Sequence, residues 1–235
     1  MSRGTVSRAR DVLDIPLPGL FHGGYLAEVV DLDDPSGLSR AKVRLLSFDG
    51  ADGHDGPVWA RVACAFAGSD RGAFLLPDVG DEVFVIFVNG DPRMPVIVGG
   101  LWNGNSQPPE TISGGRNRRK VIRSKNGVTI TMDDQDGQEQ FIVETPGGQK
   151  VTLKDGPGAI LIEDSNGNSA KLETSGVTVT ASAKVTINAS TVEVSAGMVT
   201  VNAGLSKFSG VVQADTVISN SVISASYTPG AGNIW

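Results

Sequence analysis

From Gly176 to Trp235 the chain alternates small apolar and polar residues with few interruptions. Val177, Val179, Val185 and Ile187 share one parity with Ala181, Ala183 and Ala189, and Thr, Ser, Lys and Asn stand between them. A period of two sends successive side chains to opposite sides of a strand, so these positions form one dry stripe. The phase slips near Thr191 and again near Met198, carrying the stripe to Val192 and Val194 and then back to Val199 and Val201. A one-residue shift turns every following side chain over, so each slip calls for a bend or corner. The stripe is mostly Val and Ala, too slender to fill an ordinary two-layer core. It is buried efficiently when several copies meet around a narrow axis, and winding identical chains together also closes edges that would otherwise aggregate. The expected trimer core is Val177, Val179, Val185, Ile187, Val192, Val194, Val199 and Val201. A single-chain solenoid and a disordered tail are the alternatives.

Upstream, the pattern changes twice. Residues 121–175 repeat a short strand followed by a turn: N-G-V-T-I-T-M, F-I-V-E-T-P-G-G, K-V-T-L-K-D-G, A-I-L-I-E-D-S-N-G. Such a sequence predicts chain reversals about every ten residues. Before it, Asn105–Lys120 is a polar linker or neck. Residues 21–104 predict a small β domain with strands at Gly24–Asp31, Ser39–Leu46, Val58–Ala65, Glu82–Phe87 and Val96–Gly100, divided by Gly-, Pro- and Asp-rich turns. Five short strands fit a closed barrel of the OB type. Residues 1–20, polar and then Pro-rich, form an arm. The fold class is therefore all-β: an N-terminal OB-fold barrel at 21–104, then a C-terminal intertwined trimeric β-helix or β-prism over 121–235.

Composition narrows the function. Apolar residues make up 40% and aromatics 6% of 235 residues, with 30 glycines and 12 prolines, which favours strands and turns over helices. Beyond residue 176 the only charged side chains are Lys184, Glu193, Lys207 and Asp215. The net charge of −6 argues against a general nucleic-acid binder, which needs a basic face. Cys64 is the single cysteine, so no intrachain disulfide or cysteine cluster can form, and its setting in W-A-R-V-A-C-A-F predicts a buried packing residue. The start of the chain lacks the apolar run of a signal peptide, which predicts cytoplasmic synthesis, and no segment reaches membrane-spanning length.

The barrel segment resembles the OB domain of central spike proteins of contractile injection machines, the VgrG and phage baseplate assembly protein V family. The residues that carry the likeness are A-K-V-R-L-L-S-F at 41–48, V-W-A-R-V-A-C-A-F-A-G at 58–68, and L-P-D-V-G-D-E-V-F-V-I-F-V-N-G-D-P-R-M-P-V-I-V-G-G-L-W-N-G at 76–104. Within the last block Val83, Val85 and Phe87 face one way and Phe84, Ile86 and Val88 the other, which predicts cover on both sides of the strand. The resemblance implies a trimeric β-needle after the barrel and a barrel collar seated on a hub. Here about twenty residues precede the barrel, so the hub is expected to be a separate polypeptide. Some spikes of this class carry a lysozyme domain between barrel and needle; residues 105–120 are too few for one.

No catalytic, cofactor or metal site is expected. Asp81 and Glu82 read as loop-end charges, and His22 and His54 lie apart in loops with no histidine in the tail. No nucleophile elbow or phosphate-binding glycine loop occurs. The terminal Ile234 and Trp235 suit docking of a separate tip protein of the PAAR type. The basic run Arg116, Arg118, Arg119 and Lys120 reads as a solvated or hub-contacting neck. The function expected is a non-enzymatic, membrane-puncturing spike at the centre of the baseplate of a contractile injection system or phage-tail-like particle, in transient contact with the target membrane and ejected on contraction. A nucleic-acid-binding OB protein with a β-rich tail is the alternative.

Overall fold

The computed structural model describes residues 21–48, 56–155 and 159–225. The arm at 1–20, His54, and the tip residues Ile234 and Trp235 lie outside the described residues.

Seven strands occupy the first part of the chain: β1 Gly24–Asp31, β2 Ala41–Leu45, β3 Val58–Val62, β4 Ala67–Gly68, β5 Arg71–Gly72, β6 Glu82–Phe87 and β7 Pro95–Leu101. Five of them close a barrel in the order β1-β2-β3-β7-β6, while β4 and β5 form a small separate hairpin. Pairing around the barrel is antiparallel except between β3 and β7, where Arg61 meets Val96 and Val62 meets Ile97 in parallel. Alternation sorts the residues. Ala27, Val29, Ala41, Val43, Ala60, Val83, Val85, Phe87 and Ile97 are buried and make the core. Phe21 and Tyr25 pack against it, with the Phe21 and Phe87 rings 4.6 Å apart and tilted.

Two loops are tied by single carboxylates. Asp34 accepts hydrogen bonds from the backbone N–H of Ser36, Leu38 and Arg40 and from the Arg40 guanidinium at 2.6 Å, so the β1–β2 loop folds around its side chain. Asp91 does the same on a smaller scale, accepting from the Arg93 backbone N–H and guanidinium. Gly80 sits at φ +93°, a conformation that favours glycine, and its N–H donates to the Val29 carbonyl at 2.8 Å. That bond seats the P-D-V-G-D-E turn against β1, which fixes where β6 begins.

On the single chain the outer face of β6 is only partly covered, and the cover expected there would have to come from neighbouring copies. Phe84 and Ile86 are each more than a third exposed on the single chain. Phe84 lies over Gly24, where a Cβ would stand 1.8 Å from its ring. Cys64 departs further: β3 ends at Val62, and Cys64 is exposed, its thiol donating to the Phe66 carbonyl at 3.2 Å. The apolar run through Ala63–Ala67 suggested a longer strand, but the chain leaves the barrel there.

The next seven strands, β8 Arg119–Arg123, β9 Thr129–Asp133, β10 Gln140–Glu144, β11 Lys150–Lys154, β12 Ala159–Glu163, β13 Ser169–Glu173 and β14 Gly176–Thr180, form one antiparallel meander in sequence order. The reversals every ten or so residues are those the turn spacing predicted. β8 starts inside the stretch read as linker, which also holds an isolated bridge between Ser113 and Arg116.

The chain divides into two units after Lys184. From Ala181 to Ala225 it forms no strand within itself, but bends recur at Ala183, Ser190, Gly197 and Gly204. The bends at Ser190 and Gly197 fall beside the two phase slips at Thr191 and Met198. The repeat is thus seven residues: K-V-T-I-N-A-S, T-V-E-V-S-A-G, M-V-T-V-N-A-G. Seven is odd, so each repeat flips the parity, and the bend returns the valines to the same side. An intertwined β-helix is a property of several chains, and a single one contains no such element among its described residues.

Candidate functional site

In the seven-stranded sheet the registers align two rows of side chains on one face. One row runs Lys120, Met132, Phe141, Leu153, Ile160, Leu172, Val177; its neighbour runs Ile122, Ile130, Val143, Val151, Ile162, Ala170, Val179. Directly opposed residues on adjacent strands touch, so the two rows make a continuous apolar pavement with one charge at its edge. Little covers it. Met132, Phe141, Leu153, Ile160 and Leu172 are 41–44% exposed. The opposite face carries Val121, Thr131, Ile142, Thr152, Leu161, Lys171 and Thr178 along its middle row, flanked by charged positions such as Arg123, Glu144, Lys150 and Glu163. Along that middle row the face is the more covered of the two, with Thr131 at 4% exposure and Val121, Ile142, Thr152, Leu161 and Lys171 half-buried, so the apolar rows are the side left open.

Of the residues expected in the trimer core, Val177 and Val179 lie on this apolar face, paired with Leu172 and Ala170. Val185, Ile187, Val192, Val194, Val199 and Val201 occupy the second and fourth places of the three heptads, and all six are 61–71% exposed on the single chain. Sequence reasoning missed the larger surface formed by Ile122, Met132, Phe141, Leu153, Ile160, Ile162 and Leu172. The signal was present, since each strand alternates, but which parity is shared across seven strands depends on register. Burying the remaining exposed half of one such Leu, Ile or Phe is worth roughly 1 kcal/mol. Over a whole face this reaches roughly 10 kcal/mol per chain, on the scale of the cost of associating rigid bodies.

Three of the four cations of the basic run are held by carboxylates. Arg118 pairs with Asp133 at 2.9 Å, Arg119 with Glu110 at 2.7 Å, and Lys120 with Asp134. Glu82 accepts from the Asn103 amide at 2.5 Å, and Asp81 accepts from the Asp78 backbone N–H at 2.8 Å, so the two neighbouring carboxylates serve separate turns. His22 is exposed. Among the described residues no group of three or more His, Cys, Asp or Glu is arranged to hold a metal ion, and no helix is long and apolar enough to cross a membrane.

The titration of two carboxylates follows from their loops. Hydrogen bonds from the Arg40 side chain, opposed by desolvation and aided by backbone N–H groups, hold Asp34 well below the usual carboxylate range. The Arg93 side chain, with its own backbone N–H, pulls Asp91 down to about 2. Both groups brace the barrel and neither faces the apolar pavement.

Residues 25–102 match the family described as type VI secretion system/phage-baseplate injector OB domain. Residues 140–205 match the phage baseplate V C-terminal trimerisation domain. That second segment takes in β10–β14 and the three heptads. Among curated relatives, the type VI secretion system spike protein VgrG1b of Pseudomonas aeruginosa is 31% identical over 103 residues, covering 41% of this chain and 14% of that protein. The type VI secretion system spike protein VgrG3 of Vibrio cholerae is 33% identical over 89 residues, 36% of this chain and 9% of that protein. The actin cross-linking toxin VgrG1 of Vibrio cholerae is 33% identical over 87 residues, 35% of this chain and 8% of that protein. The chain thus spans a small fraction of the length of these relatives.

Proposed function

We propose that this chain, which belongs to the phage baseplate V and VgrG family of spike proteins, is the structural spike of a type VI secretion or phage-tail-like injection apparatus, acting as a homotrimer without enzymatic chemistry. The observation that carries the reading is the uncovered apolar sheet face, which lies largely within the segment matched to a trimerisation domain. Three copies of the chain bury that face against one another, and the heptad valines of three chains pack together in the same way. Backbone groups of the strandless stretch beyond Ala183 then pair with those of its neighbours. Interchain hydrogen bonding and a dry apolar core give a stiff, slowly unfolding rod, so persistence under load is a matter of kinetic stability.

On this reading the function is mechanical: contraction of a surrounding machine supplies the work and the rod pierces a target membrane. The OB barrel is the collar at the centre of a baseplate, seated on a hub protein, and Ile234 and Trp235 receive a PAAR-type tip protein. The nucleic-acid reading is weaker, because Arg118, Arg119 and Lys120 are each held by a carboxylate. Native mass spectrometry of the purified protein tests the proposal. Three chains are expected, together with slow migration on unboiled detergent gels; a folded monomer overturns it.

A further inference from the structure

The segment matched to a trimerisation domain ends at residue 205, yet the bends do not stop there. They continue at Gly210, Asp215, Asn220 and Ala225, with Ser209 also bent. The spacing has changed from seven residues to five. Residues 205–210, L-S-K-F-S-G, make an intermediate step of six, and then V-V-Q-A-D, T-V-I-S-N and S-V-I-S-A follow.

We infer that winding with two further copies of this chain continues past the matched segment to Ala225 on shorter rungs, so that the needle narrows at Leu205–Gly210. The inference rests on the trimer reading above. Its support is the regularity of the repeats. In the heptads the second-place residues Val185, Val192 and Val199 are each 61% exposed and the fourth-place residues Ile187, Val194 and Val201 are 69–71% exposed, so each repeat presents the same side chains in the same way. The pentads keep a valine in second place, Val212, Val217 and Val222, at 62–74%, whereas Ile218 and Ile223 in third place are 95–99% exposed and fall on the opposite parity. The second-place valine thus returns after the six-residue step, in which Ser206 and Phe208 hold the second and fourth places. The axial residues per rung drop from three (Val185, Ile187, Ala189) to two (Val217, Ser219).

Rung length sets girth. At a strand rise of about 3.3 Å per residue, a face of seven residues spans about 23 Å and one of five about 16 Å. The thinner rungs need smaller axial fillers, and Ala214, Ser219 and Ser224 in fourth place replace the heptads' Ile or Val. The corners themselves demand no glycine. Among the described residues after Gly176 none has a positive φ, and Ser190, Asp215 and Asn220 stand at corners beside Gly197, Gly204 and Gly210.

Hydrogen exchange on the full-length oligomer, read by mass spectrometry, tests this. Peptides covering 211–225 are expected to exchange at least 100-fold more slowly than an unstructured chain. Val217→Asp should abolish that protection over 211–225 while leaving 184–204 protected and the trimer mass unchanged, and Ile218→Asp should retain it. Inserting a second T-V-I-S-N after Asn220 should preserve protection of the segment that follows, and inserting two residues there should remove it. If 184–204 is protected in a trimer but 211–225 exchanges freely, or if Val217→Asp and Ile218→Asp behave alike, the shorter rungs are overturned and the trimer stands. A monomer, or free exchange throughout 184–225, overturns the trimer reading as well.

Discussion

The barrel and the seven-stranded sheet are made from much the same residues, Val, Ile, Leu and Thr on short antiparallel strands, and they dispose of them differently. In the barrel Val83, Val85 and Ile97 are almost wholly buried; in the sheet Leu153, Ile160 and Leu172, equally apolar and equally regular in alternation, remain over 40% exposed. Closure makes the difference. A sheet whose last strand pairs with its first has an inside, and five strands leave just enough room for Val, Ala, Ile and one Phe. A seven-stranded meander whose ends do not meet has no closed inside, and the apolar face it leaves open calls for cover by another body. Autonomy and dependence on partners thus stand side by side in one chain.

The comparison breaks most sharply at the sheet face. Leu153→Lys together with Ile160→Lys puts two charges where three copies are proposed to meet, and burying unpaired charge costs several kcal/mol per ion. Light scattering after size-exclusion chromatography should show the trimer lost by more than 100-fold in association, while near-ultraviolet circular dichroism keeps the signal of the barrel's Phe21–Tyr25–Phe87 packing. An intact trimer would mean the pavement is not an interface.

The reciprocal change, Ile97→Ala, hollows the barrel core. A loss of about 3 kcal/mol is expected for a fully buried isoleucine. Calorimetry should show the barrel melting earlier with the native mass still that of a trimer; loss of the trimer would mean that barrel and sheet are not energetically separate.

A smaller effect separates the regions by pH. Asp34 and Asp91 have folded pKa values below those of the unfolded chain, Asp91 at about 2. Their contribution is complete above the ordinary carboxylate range near 4 and drains away as pH falls through that range to 2 and below. Thermal melts from pH 5 to 2 should show the barrel destabilised by acid. Asp34→Asn should be less stable than the parent at pH 5, with the gap narrowing steadily as pH falls toward 2. A gap independent of pH would contradict the assigned role.

Smallest of all is Gly204→Ala at a corner of the heptads. A Cβ there meets nothing within 4 Å on the chain and φ is not positive, so melting should stay within about 0.5 kcal/mol of the parent. A large loss would reveal a neighbouring chain pressed against that corner.

Much of this was legible from residues alone. β1 and β6 lie where alternation and turn residues put them, at Gly24–Asp31 and Glu82–Phe87, because two-residue periodicity and glycine turns are local properties. The bends at Ser190 and Gly197 were legible as phase slips for the same reason. Cys64 was misjudged because an apolar run does not say whether the next residues stay in the sheet; the chain leaves after Val62 and the thiol meets solvent. The larger apolar face escaped for a related reason. Each strand declared two sides, but Met132, Phe141, Leu153 and Ile160 share one side only through pairings between residues far apart in sequence. The chain by itself determined the strands, the turns and the seven-residue rhythm, all set by steric preferences acting over a few residues. Register and closure belonged to the tertiary structure, because long-range hydrogen bonding decides which apolar sides turn inward and which are left open.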